Sequence, residues 1–484
     1  MSLYNEILKR QAFSNAEHLA VKCDQVEYTY GELDQRIQKL ACALQDMGVE
    51  KGDKVLLMIE NPIEFVMTFF ALSFLGAVMI PLYYHTGLQK VEAIIEKYEI
   101  NHLISDSAQS VKGEIEGDII IENHSFYVYG YCKEQDISLS NVELILFTSG
   151  TTNLPKAIML SGNNILSNVK AISSYLKVSA EDKILLIKNL SHSSSIVGEL
   201  LMGMFNGCSV VMTKKLQVGS VILKIMEENQ ITVFFAVPTI LKDMMSNRKL
   251  DMFDIAKLRI INFYGASMHY QDILKLIDKF PWVNIIYSYG QTEASPRVTY
   301  IERADLLKHP ASCGKPIEKV SVAIVDELGK KAEAMQRGEI IVAGPNVMQG
   351  YYKDPERTEK VIVDGVLHTG DIGYLDEEGF LYITGRRDNM VISAGKNIYL
   401  EEIENTILIF EGVKEVLVQA KSAENGVVEL FGYIVVENEA EFDKVALIQH
   451  CKQRLENYKI PKAVIVVEKL EKTPSGKIMR SQVF

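Results

Sequence analysis

The order of apolar segments between residues 28 and 106 most constrains what this chain can fold into. Leu33, Ile37, Leu40, Leu44 and Met47 recur at the spacing of one helix face, and Gly48 follows as a C-cap. Residues 54–60 then read as a buried strand, 62–75 as a helix, 77–83 as a strand, 91–98 as a helix and 102–106 as a strand. Strands joined through helices run parallel, and the crossing helices cover the faces of the sheet. The expectation is an α/β fold. At 484 residues the chain exceeds one simple core, so two or three domains are expected.

Composition excludes several classes. A net charge of −12 argues against a general nucleic-acid surface. The six cysteines are scattered with no C-x-x-C pair, which reads as reduced thiols in a cytoplasmic protein rather than a disulfide frame or zinc site. The first residues contain no apolar signal core, so secretion is not expected. Residues 65–84 are the one candidate membrane span. Gly76 and Pro81 interrupt them, and a buried helix running into a buried strand fits better than a span of ~20 unbroken apolar residues.

A second feature points to chemistry. The apolar run 144–147 empties into Thr148, Ser149, Gly150, Thr151 and Thr152, and Asn153, Pro155 and Lys156 follow before a second apolar run, 157–160. Such a turn leaves backbone N–H groups and hydroxyls free to face one anion, with a lysine behind. The spacing is not that of G-x-x-x-x-G-K-[ST]. The same residues also suit an ordinary polar hairpin. Downstream come His192 among Ser191, Ser193, Ser194 and Ser195, then Tyr264-Gly265-Ala266, Tyr289-Gly290-Gln291-Thr292-Glu293, His368-Thr369-Gly370-Asp371, Gly385-Arg386-Arg387-Asp388, and Thr473-Pro474-Ser475-Gly476-Lys477.

Taken together and in this order, these segments resemble the adenylate-forming superfamily: acyl-CoA synthetases, peptide-synthetase adenylation domains and firefly luciferase. The turn after Phe147 matches the superfamily's T-S-G-T-T-G-x-P-K-G, and the later segment matches its Y-G-x-T-E. The resemblance runs from about residue 28 to the C-terminus. It implies a large N-terminal domain of αβ-layered sheets with a small antiparallel unit (1–387), then a small mobile α+β domain (388–484) that turns about Asp388.

The resemblance also implies roles. Thr148 to Thr152 and Lys156 would cradle the phosphates of ATP, and Gly265, Ala266 and Tyr289 would frame the adenine. Asp371 would accept from the ribose hydroxyls with Arg386 beside it. Glu293, after Thr292, would hold Mg²⁺, and His192 would line the acyl pocket. Lys477 would neutralise the meeting of carboxylate and α-phosphate. Each has a plainer reading: a structural histidine, a turn glutamate, a solvated lysine near the chain end.

Two steps are expected: adenylation of a carboxylic acid, then transfer to the thiol of coenzyme A or of a carrier protein's phosphopantetheine. A nucleotide-binding protein without turnover stays open. Residues 193–197 hold no carboxylate to pair a substrate ammonium, which favours a fatty or aryl acid over an α-amino acid. Residues 393–399 resemble the acyl-CoA ligase form G-x-N-I-Y-P-x-E-I-E. The basic run 450–484 would suit the phosphates of coenzyme A. Asn153 and Ala157 depart from the superfamily's glycines. Alanine resists positive φ, so a stiffer phosphate loop is expected.

Overall fold

The computed structural model describes residues 2–108, 114–131, 136, 139–148, 154–215, 218–393, 396–422, 428–472 and 478–480. Two mixed sheets, of eight and nine strands, form the bulk of the molecule. In the eight-stranded sheet, strand Lys54–Met58 lies parallel to Val78–Pro81 on one side and His102–Ser105 on the other. Its side chains alternate between two cores. Val55 and Leu57 join the main apolar cluster, and Leu56 and Met58 a second one on the opposite face. Both faces are therefore covered, which is why this strand reads as an unbroken apolar run rather than an alternating one.

Local chemistry sets the helix ends. Thr29 caps helix Tyr30–Asp46 in a reciprocal box with Glu32, worth about 1 kcal/mol. Helix Pro62–Leu75 begins with Asn61 accepting from the Ile63 amide and Pro62 in the first turn. It stops at Gly76, whose φ of 77° a β-carbon would strain. Apolar residues cover almost its whole circumference because it is buried on nearly all sides. Among the described residues no helix is long and apolar enough to cross a membrane.

The expectation of parallel sheets holds at their centres and fails at their edges. Strands Lys183–Leu186, Val233–Ala236, Ile260–Tyr264 and Asn284–Tyr289 run parallel. Thr299–Glu302 and Val26–Thr29 pair antiparallel at the margins of the same sheet. In the other sheet Glu114–Ile121 and His124–Gly130 form a hairpin. Connections this short cannot return the chain to the starting end of the sheet, so antiparallel pairing is forced.

A five-stranded antiparallel sheet follows, built on Ser321–Val325, Gly338–Ala343, Ile362–Val363, Val366–Leu375 and Leu381–Arg386. Beyond it, strands Val413–Ser422, Val428–Val436 and Ala463–Val466 and helices Leu400–Leu408 and Lys444–Arg454 enclose their own core of Ile403, Ile407, Val418, Ile434 and Leu447.

Candidate active site

Strands Ile260–Tyr264 and Asn284–Tyr289 are parallel neighbours, so the segments that follow them leave the sheet at its carboxyl end, where open α/β sheets bind ligands. Gly265 turns at a φ of 85°, and it and Ala266 are exposed there. After Tyr289 the chain makes a short 3₁₀ turn, Thr292–Ala294. The Met348 amide donates to the Glu293 carbonyl at 2.9 Å, and Asn346 Nδ2 donates to the Ala294 carbonyl at 2.9 Å. Thr292 Oγ1 and Ser193 Oγ share a hydrogen bond of 3.1 Å, which brings the segment following His192 against the turn.

The hairpin of strands Val142–Thr148 and Lys156–Ser161 places Thr148 opposite Lys156 at the end where the two strands join the connecting segment 149–155. Strand Gly350–Tyr351 pairs with Lys156–Ser161 and sets the Tyr351 ring 5.6 Å from Lys156 Nζ. Tyr351 in turn donates its hydroxyl to Glu293 Oε1 at 3.0 Å. Burial, and then the Glu293 charge, push the Tyr351 phenol well up, so it stays a donor. Lys156, Tyr351 and Glu293 thus form a continuous row.

Asp371 and Arg386 face each other across the antiparallel pair Val366–Leu375 and Leu381–Arg386. Arg386 Nε donates to Asp371 Oδ1 at 2.7 Å, and Tyr289 donates its hydroxyl to Oδ2 at 2.5 Å. Asp371 is buried and Arg386 half-exposed. The Asp371 carboxylate holds the Arg386 guanidinium even more firmly charged, while burial and Asp371 push the Tyr289 phenol well up. Each carboxylate oxygen has two lone pairs, so Asp371 keeps acceptor capacity after both bonds are made.

Ser149, Gly150, Thr151, Thr152, Asn153 and Lys477 lie outside the described residues. Ala157 does not, and here the expectation of strain is corrected. It sits within strand Lys156–Ser161 and is absent from the positive-φ residues, so alanine costs nothing at this position. The flanks of Lys477 are anchored. Lys472 and Ile478 form an antiparallel bridge, and Arg480 donates to Glu404 at 2.6 and 2.9 Å and to Glu401 at 3.1 Å.

Known proteins carry the same architecture. Residues 8–352 match the profile of the AMP-binding enzyme family, and residues 402–477 match that of the AMP-binding enzyme C-terminal domain. The chain belongs to the AMP-binding enzyme family. It is 28% identical over 482 residues to a feruloyl-CoA synthase of Amycolatopsis, covering 98% of this chain and 97% of that one. It is 27% identical to a 2-succinylbenzoate–CoA ligase of Bacillus cereus, with the same coverage. Among solved structures, o-succinylbenzoate CoA synthetase of Bacillus subtilis, in complex with its acyl-adenylate intermediate, superposes with a TM-score of 0.86. That match has 25% identity and covers 100% of this chain and 98% of the other. The same synthetase with ATP and magnesium ion superposes at 0.85.

This AMP-binding enzyme also holds a group of charges that reading the sequence passed over. Behind Ser193 and Ser194, Lys188 Nζ lies 3.6 Å from the centre of the Tyr264 ring, and Arg297 Cζ lies 3.9 Å from it. Tyr264 donates its hydroxyl to Glu199 Oε1. Glu199 and Arg297 are 0% and 3% exposed. Lys188 Nζ, Arg297 Nε and Nη2, and Glu199 Oε2 are buried without a hydrogen-bond partner. Burial pushes the Lys188 ammonium down to about 7, partly offset by Glu199 and reinforced by Arg297. It pushes the Glu199 carboxyl up. One signal was available: a lysine inside the apolar run of residues 184–190. Tyr351 gave none, being one of two adjacent tyrosines after Gly350 with no motif around it.

Proposed function

We propose that this AMP-binding enzyme is an acid–thiol ligase (AMP-forming). A carboxylate oxygen attacks the α-phosphorus of ATP, releasing pyrophosphate and leaving an acyl-adenylate. A thiol then attacks the acyl carbon, loses its proton and expels AMP, giving a thioester. The convergence of Tyr289, Asp371 and Arg386 with Glu293, Tyr351 and Lys156 around the strand ends carries this reading.

In it, Asp371 uses its remaining lone pairs for the ribose hydroxyls, and Arg386 and Lys156 add positive charge near the phosphates. Gly265 and Ala266 give the adenine an exposed backbone edge beside Tyr289. Thr148 to Thr152 cradle phosphate oxygens, and His192 borders the acyl group. Among the described residues no group of three or more His, Cys, Asp or Glu side chains is placed to hold a metal. A magnesium ion would therefore take Glu293 and nucleotide oxygens, the usual mode for this ion. Glu293 fits, since Tyr351 engages only its Oε1. The ion would supply charge neutralisation at the phosphates.

The domain boundary falls at 387/388. Arg387 donates to Glu339 of the antiparallel sheet, Asn389 to Glu401 of helix Leu400–Leu408, and the exposed Asp388 lies between these two tethers. Turning about Asp388 would bring Lys477 to the carboxylate for the first step and withdraw it for the second.

The acid is a fatty or aryl acid. The named relatives, a feruloyl-CoA synthase and a 2-succinylbenzoate–CoA ligase, support the aryl class. Coenzyme A is the acceptor by the same support and by the form of residues 393–399. The basic run adds less than its composition promises. Lys459, Lys462, Lys472 and Arg480 are each already paired with a carboxylate. A carrier protein in trans is the rival acceptor.

Pyrophosphate exchange over a panel of acids tests the first step. Thioester formation with free coenzyme A against holo-carrier protein tests the second. Exchange with no acid, while ATP still binds, would leave a nucleotide-binding protein without turnover.

A further inference from the structure

The group around Tyr264 is out of balance. Its unpartnered buried atoms comprise three donors, Lys188 Nζ and Arg297 Nε and Nη2, against one acceptor, Glu199 Oε2. Donors left unpaired in the interior cost free energy unless something completes them. A self-contained salt bridge would pair these atoms, yet Lys188 Nζ, two of the three Arg297 nitrogens and the second oxygen of Glu199 make no hydrogen bond.

The group is close in sequence to the residues of the candidate active site. Tyr264 immediately precedes the exposed Gly265 and Ala266, Arg297 is four residues beyond Glu293, and Lys188 is four residues before His192. Glu199 rides on the π-helical turn Ile196–Leu201, whose wider winding is frequent at functional sites. A β-carbon at Gly198 would stand 3.3 Å from Arg297 Nη2, so glycine lets the guanidinium lie flat against the turn. Its apolar neighbours Ile196, Val197 and Leu200 are all buried. Ser193, between Lys188 and Glu199 in sequence, hydrogen-bonds Thr292 beside Glu293, which ties this segment to the adenylate site.

We propose that Lys188 and Arg297 select an acid carrying a second carboxylate, at the end of the acyl group remote from the reacting one. This rests on the ligase reading above and narrows its substrate class. The donor excess of the group decides the choice. The unpartnered donors of Lys188 and Arg297 outnumber the single unpartnered acceptor of Glu199, so an apolar tail would leave them unpaired and an ammonium would add donors and no acceptor. A carboxylate brings acceptors for both cations, and Arg297 offers it a planar fork. Glu199 then sets the limit of the subsite, holding Lys188 in place through their mutual attraction and opposing the incoming anion.

The test uses the full-length wild-type chain in pyrophosphate exchange. Three acids share one aryl skeleton: a diacid with a second carboxylate on a short side chain, its methyl ester at that position, and the unsubstituted monoacid. The expected kcat/KM for the diacid exceeds that of the ester by about 100-fold or more, the range for sites that lose a paired polar group. Two variants move this ratio in opposite directions. Lys188→Met lowers it at least tenfold, and Glu199→Gln raises it, which a purely structural role for the cluster would not do.

Equal or better exchange with the ester or the monoacid in the wild-type chain would overturn the second-carboxylate assignment and leave the ligase reading standing. No exchange with any acid would remove both. Should either variant fail to fold, the wild-type ratio alone decides.

Discussion

The two sides of the candidate active site hold their charges differently. Toward the nucleotide loops, carboxylates are already paired: Asp371 with Arg386 and Tyr289, and Glu293 with Tyr351. Toward the core, Lys188, Arg297 and Glu199 each keep at least one buried polar atom without a hydrogen-bond partner. The first arrangement fixes donors and acceptors in position before any ligand arrives, which suits chemistry that is the same at every turnover. The second stays incomplete within the protein, which suits a group supplied by the substrate. The same residue types therefore serve two ends: one set is preorganised, the other is complementary to something outside the chain.

The largest effect is expected at Lys477, which would act on the reacting carboxylate that both sides serve. Lys477→Ala should reduce pyrophosphate exchange by 10²–10³-fold or more, the scale seen when one stabilising donor is removed from a developing charge. It should spare thioester formation from a supplied acyl-adenylate. Near-normal exchange would remove Lys477 from the first step. Asp388→Pro comes next. Proline fixes φ near −65°, so one half-reaction should survive while the other collapses. Equal loss of both with the fold intact would count against alternation about Asp388.

On the nucleotide side, Tyr351→Phe leaves the ring near Lys156 but removes the donor to Glu293. A hydrogen bond to a charged group contributes about 1.5–3 kcal/mol, so the magnesium concentration for half-maximal exchange should rise roughly tenfold. Glu293 would keep its charge and lose its orientation. An unchanged magnesium dependence would mean that Tyr351 is packing alone, and that this side is less preorganised than its geometry implies.

Much of this was legible in the sequence, for identifiable reasons. Helix Pro62–Leu75 carries its own signals in Asn61, Pro62 and Gly76, so its limits follow from local chemistry. Asp371, Arg386, Tyr289 and Glu293 stand in recognisable motifs, and the fold brings them together. Strand direction at the sheet edges was not legible, because it depends on connection length rather than on apolar pattern. Nor was the Lys188, Glu199, Tyr264 and Arg297 group. Its members come from four separate stretches, and only the crossing of two elements over the Tyr264 ring unites them. Residues 193–197 hold no carboxylate, but Glu199 just beyond them points inward to Tyr264. In the proposal above an α-amino acid is disfavoured for a different reason, that its ammonium brings no acceptor for the buried Lys188 and Arg297 donors.

The smallest effect concerns stability on the core side, and its sign is informative. Lys188 has an ordinary value of 10.5 and is pushed down to about 7 by burial in the folded chain. Between about pH 7 and 10.5 the unfolded chain keeps a proton that the folded chain has shed, so this residue makes stability rise with pH across that window. Below pH 7 both states carry the charge, and the cost of burying it is fully present. Lys188→Met removes that cost and nearly matches the side chain in length. Its melting temperature should exceed that of the wild-type chain by a few degrees at pH 6, and the gain should shrink steadily toward pH 9. Three groups face the ammonium: Glu199, Arg297 and the Tyr264 ring. The variant raises the Glu199 carboxyl further by removing its attraction to Lys188, so a Lys188→Met, Glu199→Gln pair isolates the lysine contribution. A gain of equal size at pH 6 and pH 9 would show that methionine merely packs better. A gain that is larger at the lower pH would show that the wild-type chain carries a buried charge only partly offset by Glu199, at a cost to stability that a substrate carboxylate would offset.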